Sequence, residues 1–72
     1  MQQYDYSKLL GRIREMGYTQ ERFAKEIGTS ACSFNLKVHN KSNFRQDEIL
    51  KSCIVLNIPP DEVSKYFFTH KL

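Results

Sequence analysis

The stretch Thr19-Gln20-Glu21-Arg22-Phe23-Ala24-Lys25-Glu26-Ile27-Gly28-Thr29-Ser30-Ala31-Cys32-Ser33-Phe34-Asn35-Leu36-Lys37-Val38 decides the fold. Thr19 is a good N-cap, since a hydroxyl there accepts from an orphan first-turn N–H. Phe23, Ala24 and Ile27 then share one stripe of a short helix, and Gly28 offers the left-handed conformation that ends it. Thr29 or Ser30 caps a second helix, in which Phe34 and Val38 are the i, i+4 anchors and Asn40 closes the last turn. The residue types suit a tight crossing of two helices. Ala24 is small where the second helix passes close, Gly28 relieves the turn, and Phe23, Ile27 and Phe34 fill the wedge between them.

Working outward, Leu9, Leu10, Ile13 and Met16 recur at helical spacing, with Asp5 as predicted N-cap and Gly17 as the terminating residue. Ile49, Leu50, Cys53 and Leu56 form a fourth helical stripe behind the acidic first turn Asp47 and Glu48, and Asn57 stops it. Pro59 and Pro60 open a short fifth helix, with Val63 and Phe67 on its inner face. No strand pattern of comparable length competes, so the class is all-α, a five-helix domain. Its predicted core is Leu9, Ile13, Phe23, Ala24, Ile27, Phe34, Val38, Ile49, Cys53, Leu56 and Val63. The aromatic tail Tyr66, Phe67, Phe68 is expected to cap that core beside the first helix, a partner interface being the alternative.

The chain has 72 residues, 40% of them hydrophobic, which makes residues 1–72 one domain. At this size about 60% of the unfolded surface is buried, so the apolar residues are committed to the core and little is left for a deep pocket. No acid pair, nucleophile with a base, or glycine-rich phosphate loop can be assembled, so no catalytic residue, cofactor or enzymatic activity is expected. His39 and His70 lack a second ligand at i+3 or i+4, and no metal site is expected. Cys32 and Cys53 lack a CxxC spacing and read as free thiols. The apolar runs Cys53 to Leu56 and Tyr66 to Phe68 fall far short of the ~20 residues that span a bilayer. With no export signal in view, the cytoplasm is the expected compartment.

The net charge is +3, and its distribution says more than its sum. Residues 1–46 hold eight of the eleven Lys and Arg against four acids, and between Ile27 and Gln46 the only charges are Lys37, Lys41 and Arg45. Such a segment is either an ordinary solvated basic surface or a face for phosphates. Charge alone does not choose between them.

The helix pair has the spacing of a helix-turn-helix over about residues 20–39. The string Gly17-Tyr18-Thr19-Gln20-Glu21 leading into Phe23-Ala24-Lys25-Glu26-Ile27-Gly28 resembles the DNA-binding domain of phage Cro and CI-type repressors, of the lambda-repressor-like type. More narrowly, Phe34-Asn35-Leu36-Lys37-Val38, Asn40-Lys41, Phe44, Glu48-Ile49-Leu50, Ile58-Pro59 and Phe67-Phe68 resemble short Cro-like regulators of Gram-positive temperate phages. They are also similar to the modulator-of-repression proteins of lactococcal phages, which act together with a phage repressor. The resemblance implies that Ser30, Ala31, Cys32, Asn35 and Leu36 face base edges or a partner from the third helix. It also implies that Gln20 touches a phosphate at the start of the second helix, and that Lys41, Asn43 and Arg45 flank the groove on the backbone. Lys37 stands where the pattern usually has an apolar residue. We expect the apolar role to pass to Val38 with a slight rotation of the helix, and Lys37 to join the phosphate contacts.

One chemical difficulty qualifies the resemblance. Major-groove discrimination rests on Arg or Lys for guanine and Asn or Gln for adenine, and the implied reading face offers only Asn35 of that set. Ala31, Cys32 and Leu36 suit an apolar protein contact better. Two functions follow as expectations: a Cro-like regulator binding double-stranded operator DNA in a lysis-lysogeny switch, or an antirepressor that binds the phage repressor through the third helix. A homodimer is compatible with either.

Overall fold

The computed structural model describes residues 3–71 as five α-helices, with no β-structure among them beyond one isolated bridge. They are α1 (Ser7–Glu15), α2 (Gln20–Glu26), α3 (Ala31–Val38), α4 (Gln46–Leu56) and α5 (Val63–Phe67), the last entered through a 3-10 turn at Pro60–Glu62.

The helix ends are local chemistry. Thr19 Oγ1 accepts the Arg22 N–H at 3.1 Å and Ser30 Oγ accepts the Ser33 N–H at 3.0 Å, so Ser30 rather than Thr29 caps α3. At the other ends, Gly17, Gly28, Asn40 and Asn57 all adopt positive φ. After each, the next amide reaches back to close the last turn, as when Tyr18 N–H donates to Ile13 O at 3.0 Å and Thr29 N–H to Ala24 O at 2.9 Å. Asp5 differs from expectation. Its own N–H is engaged by Thr69 O at 2.7 Å, which holds it outside the helix, and Tyr6 takes the N-cap position while Asp5 Oδ1 accepts the Ser7 N–H at 2.9 Å.

The core contains seven of the expected residues fully buried: Leu9, Ile13, Phe23, Ala24, Ile27, Phe34 and Leu56. Val38, Ile49, Cys53 and Val63 are only half-buried, packed on its edge. Tyr6, Ile58 and Phe67 complete the interior. The organising ring comes from the loop between α3 and α4: Phe44 meets Tyr6 and Phe67 edge-on with centroids 5.3 Å away in both cases, and Phe34 at 5.9 Å.

The two ends of the described chain are tied together. Tyr4 and His70 form an antiparallel bridge, and Lys71 N–H donates to Gln3 O at 3.0 Å. The Asn40 side chain clamps the same segment: its Oδ1 accepts the Tyr4 N–H at 2.8 Å and its Nδ2 donates to Tyr4 O at 3.0 Å. Beneath this strap lies a cavity of about 250 Å³ walled by Tyr4, Tyr6, Phe44, Phe67 and Phe68. Phe67 caps the core as expected of the tail, whereas Phe68 is 48% exposed at the rim. No helix among the described residues is long and apolar enough to cross a membrane.

Candidate nucleic-acid or partner interface on the third helix

Two inward side chains set the rotation of α3. Phe34 is fully buried, and Lys37, one turn later, is buried as well. The Ala31, Cys32, Asn35, Leu36 and His39 side chains are left facing solvent, with Leu36 41% exposed. His39 turns back on its own helix, its Nδ1 lying 2.8 Å from Asn35 O. Four of the five residues expected on the reading face therefore share one exposed surface, and the fifth, Ser30, caps its N-terminal end.

Lys37 does not join them, and its assignment to phosphate is corrected. Its ammonium is buried against the Glu48 carboxylate of α4, with side-chain exposures of only 8% and 4%. The position keeps its inward orientation, so α3 is not rotated to favour Val38, which is half-buried. A cation is tolerated there because Glu48 arrives from α4 to meet it, something no local sequence pattern announces. Glu48 Oε1 also accepts the Arg45 N–H at 2.8 Å, and Ser52 Oγ donates to Glu48 O at 2.7 Å. Burial by itself raises the Glu48 pKa. The Arg45 amide and the Lys37 ammonium outweigh that effect and hold the carboxyl below its ordinary value.

The remaining implied phosphate contacts are at the surface, but not all are free. Gln20, Lys41 and Asn43 are exposed, and Asn43 also lines the aromatic cavity. Arg45 is exposed yet forked onto Asp47, Nε to Oδ1 at 3.1 Å and Nη2 to Oδ2 at 3.0 Å. That fork raises the Arg45 pKa and lowers that of Asp47. The fold supplies another cation that local reading missed. A Cβ placed on Gly28 would lie 3.4 Å from Lys51 Nζ, so the Lys51 ammonium from α4 hangs over the α2–α3 turn. Among the described residues no three His, Cys, Asp or Glu side chains group as metal ligands, and both cysteines are free thiols.

A family described as a protein of unknown function, DUF739, matches residues 2–70. The chain belongs to the DUF739 family. This member is also similar to the solution structure of the modulator of repression of the temperate bacteriophage TP901-1 from Lactococcus lactis. The identity is 46%, with 90% of this chain and 88% of that chain covered and a TM-score of 0.76. No curated protein matches. At that identity and coverage the resemblance to modulator-of-repression proteins read from the sequence is supported along nearly the whole DUF739 chain.

Proposed function

We propose that this DUF739 protein regulates a phage lysis-lysogeny switch by binding the phage repressor through the outward face of α3. The observation that carries this reading is the composition of that face. With Lys37 turned inward onto Glu48 and Arg45 forked onto Asp47, the exposed side of α3 presents Ala31, Cys32 and Leu36 around the single base-reading side chain Asn35. Apolar side chains with no arginine or lysine among them suit desolvated contact with a protein. The similarity to a modulator of repression supports the same class of role, and the reading involves no catalysis and no cofactor.

Direct operator binding as a Cro-like helix-turn-helix protein is the second reading. It is favoured by Lys41 and by the Lys51 ammonium above the turn, both placed to meet phosphate near the start or end of α3. Leu36→Arg separates the two, because arginine disrupts an apolar protein contact while adding attraction for DNA. Titrations against the repressor of the same phage and against operator and random duplexes should show repressor binding lost and DNA binding unchanged or stronger. Intact repressor binding with altered operator preference would instead leave the direct regulator standing.

A further inference from the structure

Five aromatic side chains close a circuit around the cavity beneath the terminal strap. Tyr4 meets Phe68 and Tyr6, Tyr6 meets Phe44, and Phe44 meets Phe67, with ring centroids 5.3–6.2 Å apart, and Phe67 and Phe68 are neighbours in the chain. These rings are inclined to one another by 53° to 86°, so they meet edge to face and leave about 250 Å³ between them unfilled. An apolar cavity of ~150 Å³ already holds benzene, so this one has room for a ring with a substituent.

The wall also carries an unanswered polar group. Tyr6 is only 7% exposed, yet its hydroxyl has no hydrogen-bond partner among the described residues. The oxygen is not sealed off either, and the space that Tyr6 lines is the cavity. A buried tyrosine hydroxyl ordinarily finds a partner. Burial, with the neighbouring Tyr4, pushes the Tyr6 pKa up, so the group stays a neutral donor and acceptor. Asn43 adds an amide at the exposed mouth. Among the described residues no charged side chain lines the cavity, so an ion entering it would lose hydration with nothing to offset the loss.

We propose that this cavity binds a small neutral aromatic molecule, a ring bearing one hydroxyl or carbonyl group that pairs with the Tyr6 hydroxyl. The tilted walls present edges and faces to such a ring, and Tyr6 selects its polar substituent. The segments that carry Tyr4 and Phe68 are tied together at the Tyr4–His70 bridge and held by Asn40, so the walls are set before the ligand arrives. With the strap over the site, the occupant is a free molecule rather than a ring carried on a folded partner.

The probes are p-cresol, toluene as the same ring without the hydroxyl, and benzoate as a charged ring. Titrations of the full chain followed in 1H–15N spectra, with each probe up to about 4 mM, reach the affinity range of so small a ligand. Saturable p-cresol shifts should cluster at residues 4–6, 43–49 and 66–68, and benzoate should leave these amides unmoved. Tyr6→Phe removes a hydroxyl that bonds to nothing in the fold, so the helical circular dichroism should persist. In that variant the ratio of p-cresol to toluene affinity should fall roughly 2- to 10-fold, the worth of one hydrogen bond. Phe68→Ala, which removes a half-exposed wall, should weaken both probes. Shifts that never saturate or that spread beyond the cavity would overturn the proposal, as would an unchanged affinity ratio in Tyr6→Phe. Tighter binding of N-acetyltyrosinamide than of p-cresol would overturn it too, assigning the cavity to a tyrosine carried by another protein.

Discussion

Lys37 on α3 and Glu48 on α4 form an ion pair that is sealed from solvent and joined to the start of α4. One carboxylate oxygen meets the Lys37 ammonium and the other accepts the Arg45 N–H at 2.8 Å. Only the glutamate arm of a capping box exists here, since an arginine side chain has no acceptor to offer in return. The same carboxylate thus anchors the α4 N-terminus and determines which residues α3 shows to solvent. Loss of either partner strands the other in the interior, which costs about 3–5 kcal/mol. Lys37→Met and Glu48→Leu should each lower the urea midpoint strongly. The double variant, which removes both charges, should recover much of the loss. Additive single effects in a double-mutant cycle would show that the two do not act as a pair.

The acid response follows from the direction of the Glu48 shift. A carboxyl whose pKa is lower in the folded chain than in the unfolded one contributes stability above its unfolded value, and that contribution is lost as pH falls through the folded value. Urea midpoints should therefore hold steady near neutrality and decline below about pH 4.3, the ordinary glutamate range. Glu48→Gln should start lower and flatten the decline. Asp5, lowered by its bonds to Ser7, and Asp47, lowered by Arg45, titrate in the same sense from positions nearer the surface and should leave a shallow residual slope.

Ala24 is fully buried in α2, with Phe23 and Phe34 packed edge to face 5.6 Å apart in the neighbouring helix crossing. Ala24→Leu should overpack it by roughly 1–3 kcal/mol. In a domain of this size each kcal/mol lowers the melting temperature by about 4–8 °C. An unchanged melting temperature would mean that α2 and α3 do not cross at Ala24.

Asn40 does two jobs that substitution can separate. Its positive φ of 62° ends α3, and its side chain clamps Tyr4. Asn40→Gly keeps the backbone freedom and loses the clamp, whereas Asn40→Ala loses both. Hydrogen exchange of the Tyr4 amide should quicken in both variants. The larger fall in melting temperature should belong to Asn40→Ala.

Salt dependence tests the corrected charge assignment. Each phosphate neutralised by a surface cation adds about 0.9 to the slope of log affinity against log salt. Any binding to random duplex should lose roughly that much slope in Lys41→Ala or Lys51→Ala. Lys37→Met should leave the slope unchanged, because its ammonium is engaged with Glu48. A reduced slope for Lys37→Met in a folded protein would return that residue to the surface.

The helices and their terminators were legible in the sequence because they depend on near neighbours, and so were the caps of α2 and α3, whereas Asp5 lost the cap of α1 to a distant bond with Thr69. Thr19 and Ser30 satisfy amides three residues on, and Gly17, Gly28, Asn40 and Asn57 adopt backbone conformations suited to their own residue types. The set Ala31, Cys32, Asn35 and Leu36 was implied by the family resemblance, and all four residues are exposed on α3. Tertiary structure alone decided the rest. Glu48 lies eleven residues from Lys37, and only the packing of α4 on α3 turned a surface cation into a buried one. Phe44 became the hub of the aromatic core because α1, α3 and α5 converge on the loop that carries it. Lys51 reached the α2–α3 turn, and Asn40 reached Tyr4 across 36 residues, by the same means. Periodicity records which side of a helix is apolar, but the partner that a distant segment delivers to that side depends on the closure of the whole chain.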